Sequence, residues 1–64
     1  MTDDMIKDID PTILLSIINT KLRDQYASLD ILCYDLDMTK ENIVNTLKTI
    51  GYNYNETENQ FKKA

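Results

Sequence analysis

The chain has 64 residues, with seven basic side chains against eleven acidic ones and a formal net charge of −4 at pH 7. A chain this short forms one domain, hides only about 60% of the surface its unfolded form exposes, and has no stability to spare for a strained catalytic pocket. Its acidic balance repels phosphate backbones and anionic lipid surfaces at long range, which weighs against nucleic-acid and membrane partners.

Residues 1–9 read as a flexible acidic N-terminal arm with Met5, Ile6 and Ile9 scattered along it, and residues 10–64 as a single domain. Asp10-Pro11 marks a helix start, with Asp10 as N-cap and Pro11 at the first helical position. The first helix is expected to run to about Tyr26, placing Leu14, Leu15, Ile18, Leu22 and Tyr26 on one stripe. Ile13 and Ile17 fall outside that stripe and need a second cover, either the arm or another chain. Ser28 opens a short helix to about Leu36, with Leu29, Leu32, Cys33 and Leu36 at the i, i+3, i+4, i+7 spacing. Cys33 on that face reads as a small core residue. A third helix begins at Thr39, where Met38 and Ile43 can form a hydrophobic staple. Its buried face continues through Val44, Leu47 and Ile50 to Gly51, the only glycine, at a position that favours a left-handed residue. The period then changes to two at Tyr52-Asn53-Tyr54. A turn-like stretch follows, and Gln60-Phe61-Lys62 returns as a second strand. The expected fold is therefore mostly α: three helices with a helix-turn-helix-like core, and a short C-terminal β-hairpin in a winged-helix-like arrangement.

The helix-turn-helix reading rests on Leu32, Cys33, Leu36, Met38, Ile43 and Leu47 at inward positions around a tight turn, with Cys33 as the small residue where helices touch. Asp37 stands where the motif usually has glycine, and Asp tolerates a left-handed conformation better than most residues. If the third helix reads nucleic acid, its contacts are Thr39, Lys40, Asn42, Asn45 and Lys48, with Lys62 and Lys63 on the hairpin. The charge around them opposes that role. Lys40, Lys48, Lys62 and Lys63 face Asp30, Asp35, Asp37, Glu41, Glu56 and Glu58 in the same half of the chain.

The run Pro11, Leu14-Leu15-Ser16, Asn19, Lys21-Leu22-Arg23-Asp24, Tyr26, Ser28-Leu29-Asp30, Leu32-Cys33, Gly51-Tyr52, Tyr54 and Asn59-Gln60-Phe61 resembles a small bacterial family, domain of unknown function 4250. The resemblance spans nearly the whole chain beyond the arm. It is strongest over Lys21 to Asp30 and over Tyr52 to Phe61, and it implies no activity, substrate or cofactor. Physically, Lys21 and Arg23 suit the C-terminal end of a helix dipole. Arg23 can pair with Asp24 or Asp30, and Asn59 and Gln60 can hydrogen-bond the hairpin turn.

Catalytic chemistry is hard to build from these residues. With no histidine, one cysteine and one glycine, the chain cannot assemble Cys/His zinc sites, Ser-His-Asp or Cys-His arrangements, or glycine-rich phosphate loops. Asp35-Leu36-Asp37 opens like a calcium loop, but the turn glycine and the closing glutamate are absent. Asn55-Glu56-Thr57 matches a glycosylation sequon without a secretory leader beside it. No enzyme activity, metal, cofactor or small-molecule substrate is expected, and a cytoplasmic location fits the acidic Met1-Thr2-Asp3-Asp4 and the single cysteine. The expected function is a protein–protein interaction or dimerisation module using Ile13, Ile17, Tyr54 and Phe61. The alternative is a helix-turn-helix transcriptional regulator that binds nucleic acid.

Overall fold

A computed structural model describes residues 8–63 of the chain. Three helices, α1 (Pro11–Asp24), α2 (Leu29–Asp35) and α3 (Lys40–Lys48), precede two strands, β1 (Tyr52–Asn55) and β2 (Gln60–Lys63). The order and the mostly helical character are those expected from the residue patterns. The flexible arm, and its role as a cover for Ile13 and Ile17, fall mainly on residues 1–7, outside the described residues. Ile9, assigned to that arm, instead packs against the core.

α1 starts where its cap is written. The Asp10 carboxylate accepts from the Thr12 N–H at 2.8 Å, and Pro11 follows at a position whose missing N–H costs nothing. Leu14, Ile18 and Leu22, four residues apart, are its buried ridge. The helix ends at Asp24, two residues before the expected Tyr26. Gln25 leaves the helical region, and the N–H groups of Gln25 and Tyr26 both donate to the Lys21 carbonyl, at 2.8 and 3.0 Å.

α2 is capped by Ser28, whose Oγ accepts from the Ile31 N–H at 3.2 Å. Its C-terminal end is a Schellman motif. The Met38 N–H donates to the Cys33 carbonyl at 2.9 Å, the Asp37 N–H to the Tyr34 carbonyl at 3.4 Å, and Asp37 takes the left-handed conformation with φ 55°. The residue anticipated as a departure from glycine thus does glycine's task. Met38 and Cys33, brought together by the motif, are both buried.

Met38 also precedes the Thr39 N-cap of α3, and with Ile43 it forms the staple that sets the angle of entry. α3 tightens at its end, where Thr49, Ile50 and Gly51 donate to carbonyls three residues back, and Gly51 terminates it at φ 82°.

β1 and β2 pair antiparallel in the register Tyr52↔Lys63, Asn53↔Lys62, Tyr54↔Phe61 and Asn55↔Gln60. Asn55 Oδ1 accepts from the Glu58 N–H at 3.1 Å inside the connecting turn, and Asn59 closes that turn with φ 54°. A two-stranded hairpin is marginal alone. Here it is held by Phe61, which is 2% exposed and joins Leu14, Ile18, Leu22, Leu29, Leu32, Ile43 and Leu47 in one core. Tyr52 and Tyr54 lie partly buried against the same core, and the Tyr54 and Phe61 rings meet at 5.4 Å in a tilted contact.

Candidate functional site

Polar side chains of the hairpin, Tyr54, Asn59 and Gln60, meet Asn19 and backbone groups of Leu22, Tyr26 and Leu29 at one seam, where the hairpin crosses the end of α1. The Asn19 amide from α1 addresses both backbone groups of Phe61, accepting from its N–H at 2.7 Å and donating to its carbonyl at 3.1 Å. Gln60 Nε2 returns a bond to the Asn19 carbonyl at 2.9 Å. Asn59 Nδ2 donates to the carbonyls of Leu22 and Tyr26, at 3.0 and 2.9 Å, and so satisfies acceptors that the end of α1 leaves open. Asn59 Oδ1 accepts from the Tyr54 hydroxyl at 2.6 Å, and that hydroxyl oxygen accepts from the Leu29 N–H at 3.3 Å. Gln60 Nε2 also donates to the Asn59 carbonyl at 2.8 Å, so Asn59 and Gln60 make the expected bonds within the hairpin and in addition reach across to α1. Among the described residues no buried side-chain polar atom lacks a partner. The seam directs the amides of Asn19 and Asn59 and the Gln60 Nε2 group to the fold itself.

Two open depressions lie beside it. One, at the bend from α1 to α2, includes Arg23, Asp24, Tyr26 and Asn59, and the other includes Ser28, Asp30, Lys40, Tyr54 and Glu56. All their charged groups but Glu56 are paired within the chain. Arg23 takes Asp24 as partner, with guanidinium–carboxylate distances of 2.9 and 3.0 Å, while Asp30 pairs with Lys40 at 3.0 Å. The hydrogen bond to Asp24 raises the Arg23 pKa and lowers that of Asp24, and the bond to Asp30 raises that of Lys40. The Tyr26 hydroxyl donates to Asp35 Oδ2 at 2.5 Å, which pushes the phenol pKa up. Among the described residues no three His, Cys, Asp or Glu side chains converge as a metal site, and no helix is long and apolar enough to cross a membrane.

The four candidate interface residues separate. Ile13 is 55% exposed and Ile17 is half-buried. Phe61 is a correction: the period-two pattern of β2 turns it inward, and it belongs to the core. Tyr54 is largely committed as well, with its ring on Phe61 and its hydroxyl between Leu29 and Asn59. Two apolar residues were missed. Ile31 and Tyr34, three apart on α2, are 50% and 91% exposed. The signal was present, since both fall between the positions of the Leu29, Leu32, Cys33, Leu36 stripe.

The candidate nucleic-acid contacts Thr39, Lys40, Asn42, Asn45 and Lys48 are all exposed along α3 and its cap, and Lys62 and Lys63 are exposed on β2. Lys40 is engaged by Asp30, and Lys62 by Glu58 at 3.0 Å. The elements bring these groups to the surface without gathering them into a basic patch clear of acids.

No curated protein and no solved structure matches the chain. A family model described as Domain of unknown function (DUF4250) matches residues 8–61, from the residue before Ile9 through the seam to Phe61. The chain belongs to that family of unknown function.

Proposed function

We propose that this chain is a non-enzymatic protein-interaction domain whose partner docks on the exposed face of α2 at Ile31 and Tyr34, with Ile13 on α1 as a further contact. The observation that carries this reading is the exposure of these three large side chains, on a chain that otherwise closes its core down to Leu14, Ile18, Leu32, Ile43 and Leu47 at 0% exposure. A small aromatic and aliphatic cluster is the usual anchor of a protein interface. The net charge of −4 favours a partner with a basic rim. The same reading places the chain in the cytoplasm, where a single reduced cysteine is ordinary.

Affinity capture tests it with the wild type and with the double variant Ile31→Glu/Tyr34→Ser. Both side chains point to solvent, so the variant keeps its circular dichroism spectrum. Proteins retained by the wild type and lost with the variant support the reading, whereas the same set from both removes this face.

A second reading, nucleic-acid binding by a helix-turn-helix domain with a hairpin wing, draws support from the element order and from the exposure of Thr39, Lys40, Asn42, Asn45 and Lys48 along α3. It predicts amide shifts along α3 and β2 when labelled protein is titrated with duplex DNA at low salt. Those shifts should fade as salt rises, and Lys48→Glu should reduce them.

A further inference from the structure

The two edges of the hairpin are treated differently. On the β2 side the Asn19 amide occupies both backbone groups of Phe61 that point away from β1, standing in for a neighbouring strand. Phe61 faces Tyr54 in the register. In an antiparallel ladder, a residue whose N–H and C=O point outward sits opposite one that also points outward, and the pattern repeats every second residue. The N–H and C=O groups of Tyr54 and Tyr52 therefore face away from β2. Among the described residues nothing bonds to them, because the hydrogen bonds of Tyr54 use its hydroxyl alone. Of the usual guards of an open edge β1 has its shortness, four residues, and lacks the others. Its sequence, Tyr52-Asn53-Tyr54-Asn55, has no charge, no proline and no bulge.

We propose that β1 pairs edge to edge with β1 of a second copy of this chain, antiparallel about a two-fold axis at Asn53. The parity of the edge is self-complementary there. Tyr52 of each copy exchanges both backbone bonds with Tyr54 of the other, and Asn53 meets its own counterpart at a close, non-hydrogen-bonded position. Local charge at the strand ends, not the net charge of each chain, supports a second copy as the occupant. Two chains of net charge −4 meet along a neutral strand, and the antiparallel arrangement sets the end that follows exposed Lys48 beside the other copy's turn, which carries exposed Glu56. The result is a four-stranded sheet with the Asn19-capped edges outermost. This inference goes beyond the interaction reading, because it uses a surface separate from Ile31 and Tyr34.

Asn53 is exposed opposite exposed Lys62, so Asn53→Glu leaves the monomer intact and Asn53→Lys adds only a solvent-exposed like-charge neighbour, while each places like charges face to face at the axis. Sedimentation equilibrium to millimolar concentration should show the wild type approaching dimer mass. Asn53→Lys alone and Asn53→Glu alone should each shift the equilibrium about five-fold toward monomer, and their equimolar mixture should recover the dimer. A wild type that stays monomeric throughout overturns the proposal and leaves the capture experiment on α2 untouched. A dimer that both Asn53 variants keep, or that the mixture does not recover, also overturns it. If Ile31→Glu/Tyr34→Ser abolishes that dimer instead, the copies meet through α2.

Discussion

The seam between α1 and the hairpin and the pairing of α2 with α3 hold together by different means. α2 and α3 are joined by a tight turn, a Schellman motif and a shared apolar stripe, all within about twenty residues of chain. Their one charged link, Asp30 to Lys40, lies in solvent. At the seam, amide side chains reach across forty residues to satisfy backbone groups that the hairpin and the end of α1 leave open. Local order in the first region is set by neighbours in sequence. In the second it depends on a few polar residues, each with more than one obligation, so the penalty for losing one is larger than its size suggests.

Asn19→Ala should break that contrast most severely. It leaves the N–H and C=O of Phe61 without partners at a partly buried position, and a loss of about 2–3 kcal/mol in urea denaturation is expected. Amide exchange should accelerate first in β1 and β2. A uniform loss of protection across all elements would show instead that the seam is no weaker than the helices.

Asp37→Gly sharpens the other side. It removes the steric cost of a left-handed non-glycine residue while keeping the Schellman bonds, so stability should rise by about 1 kcal/mol, read as a higher urea midpoint. Lys40→Ala deletes only an exposed ion pair and should leave the thermal midpoint nearly unchanged. The smallest effect is one of pH. The folded-state pKa of Tyr26 is raised by its bond to Asp35, so that contribution is fully present below the ordinary tyrosine pKa and is lost as pH rises through the raised value. Tyr26→Phe should flatten this alkaline dependence in pH-resolved thermal melts.

How much was legible in the sequence follows the same division. The caps at Asp10, Ser28 and Thr39, the left-handed Asp37 and Gly51, and the hairpin were readable because each is written in adjacent residues. The inward set of leucines and isoleucines followed from periodicity alone. What could not be read was which distant backbone group an asparagine addresses. Asn59 and Gln60 invite a local assignment to their own hairpin, which they partly fulfil, yet their amides also go to Leu22, Tyr26 and Asn19. Phe61 was misassigned as interface for a related reason. A single aromatic residue in a four-residue strand does not say which face is covered until the partner of that face is known. Exposure of Ile31 and Tyr34 follows from the helical stripe, since both fall between its inward positions Leu29, Leu32, Cys33 and Leu36.

The bond between Asn19 and Phe61 has a further consequence during synthesis. Its two ends are 42 residues apart, so as the chain leaves the ribosome α1 is complete long before the group that Asn19 must grasp has emerged. Helix pairs close quickly through local contacts, whereas this bond closes a loop of 42 residues and carries the larger entropic cost. Until β2 docks, the three helices lack the one aromatic side chain that is buried among the described residues of their core.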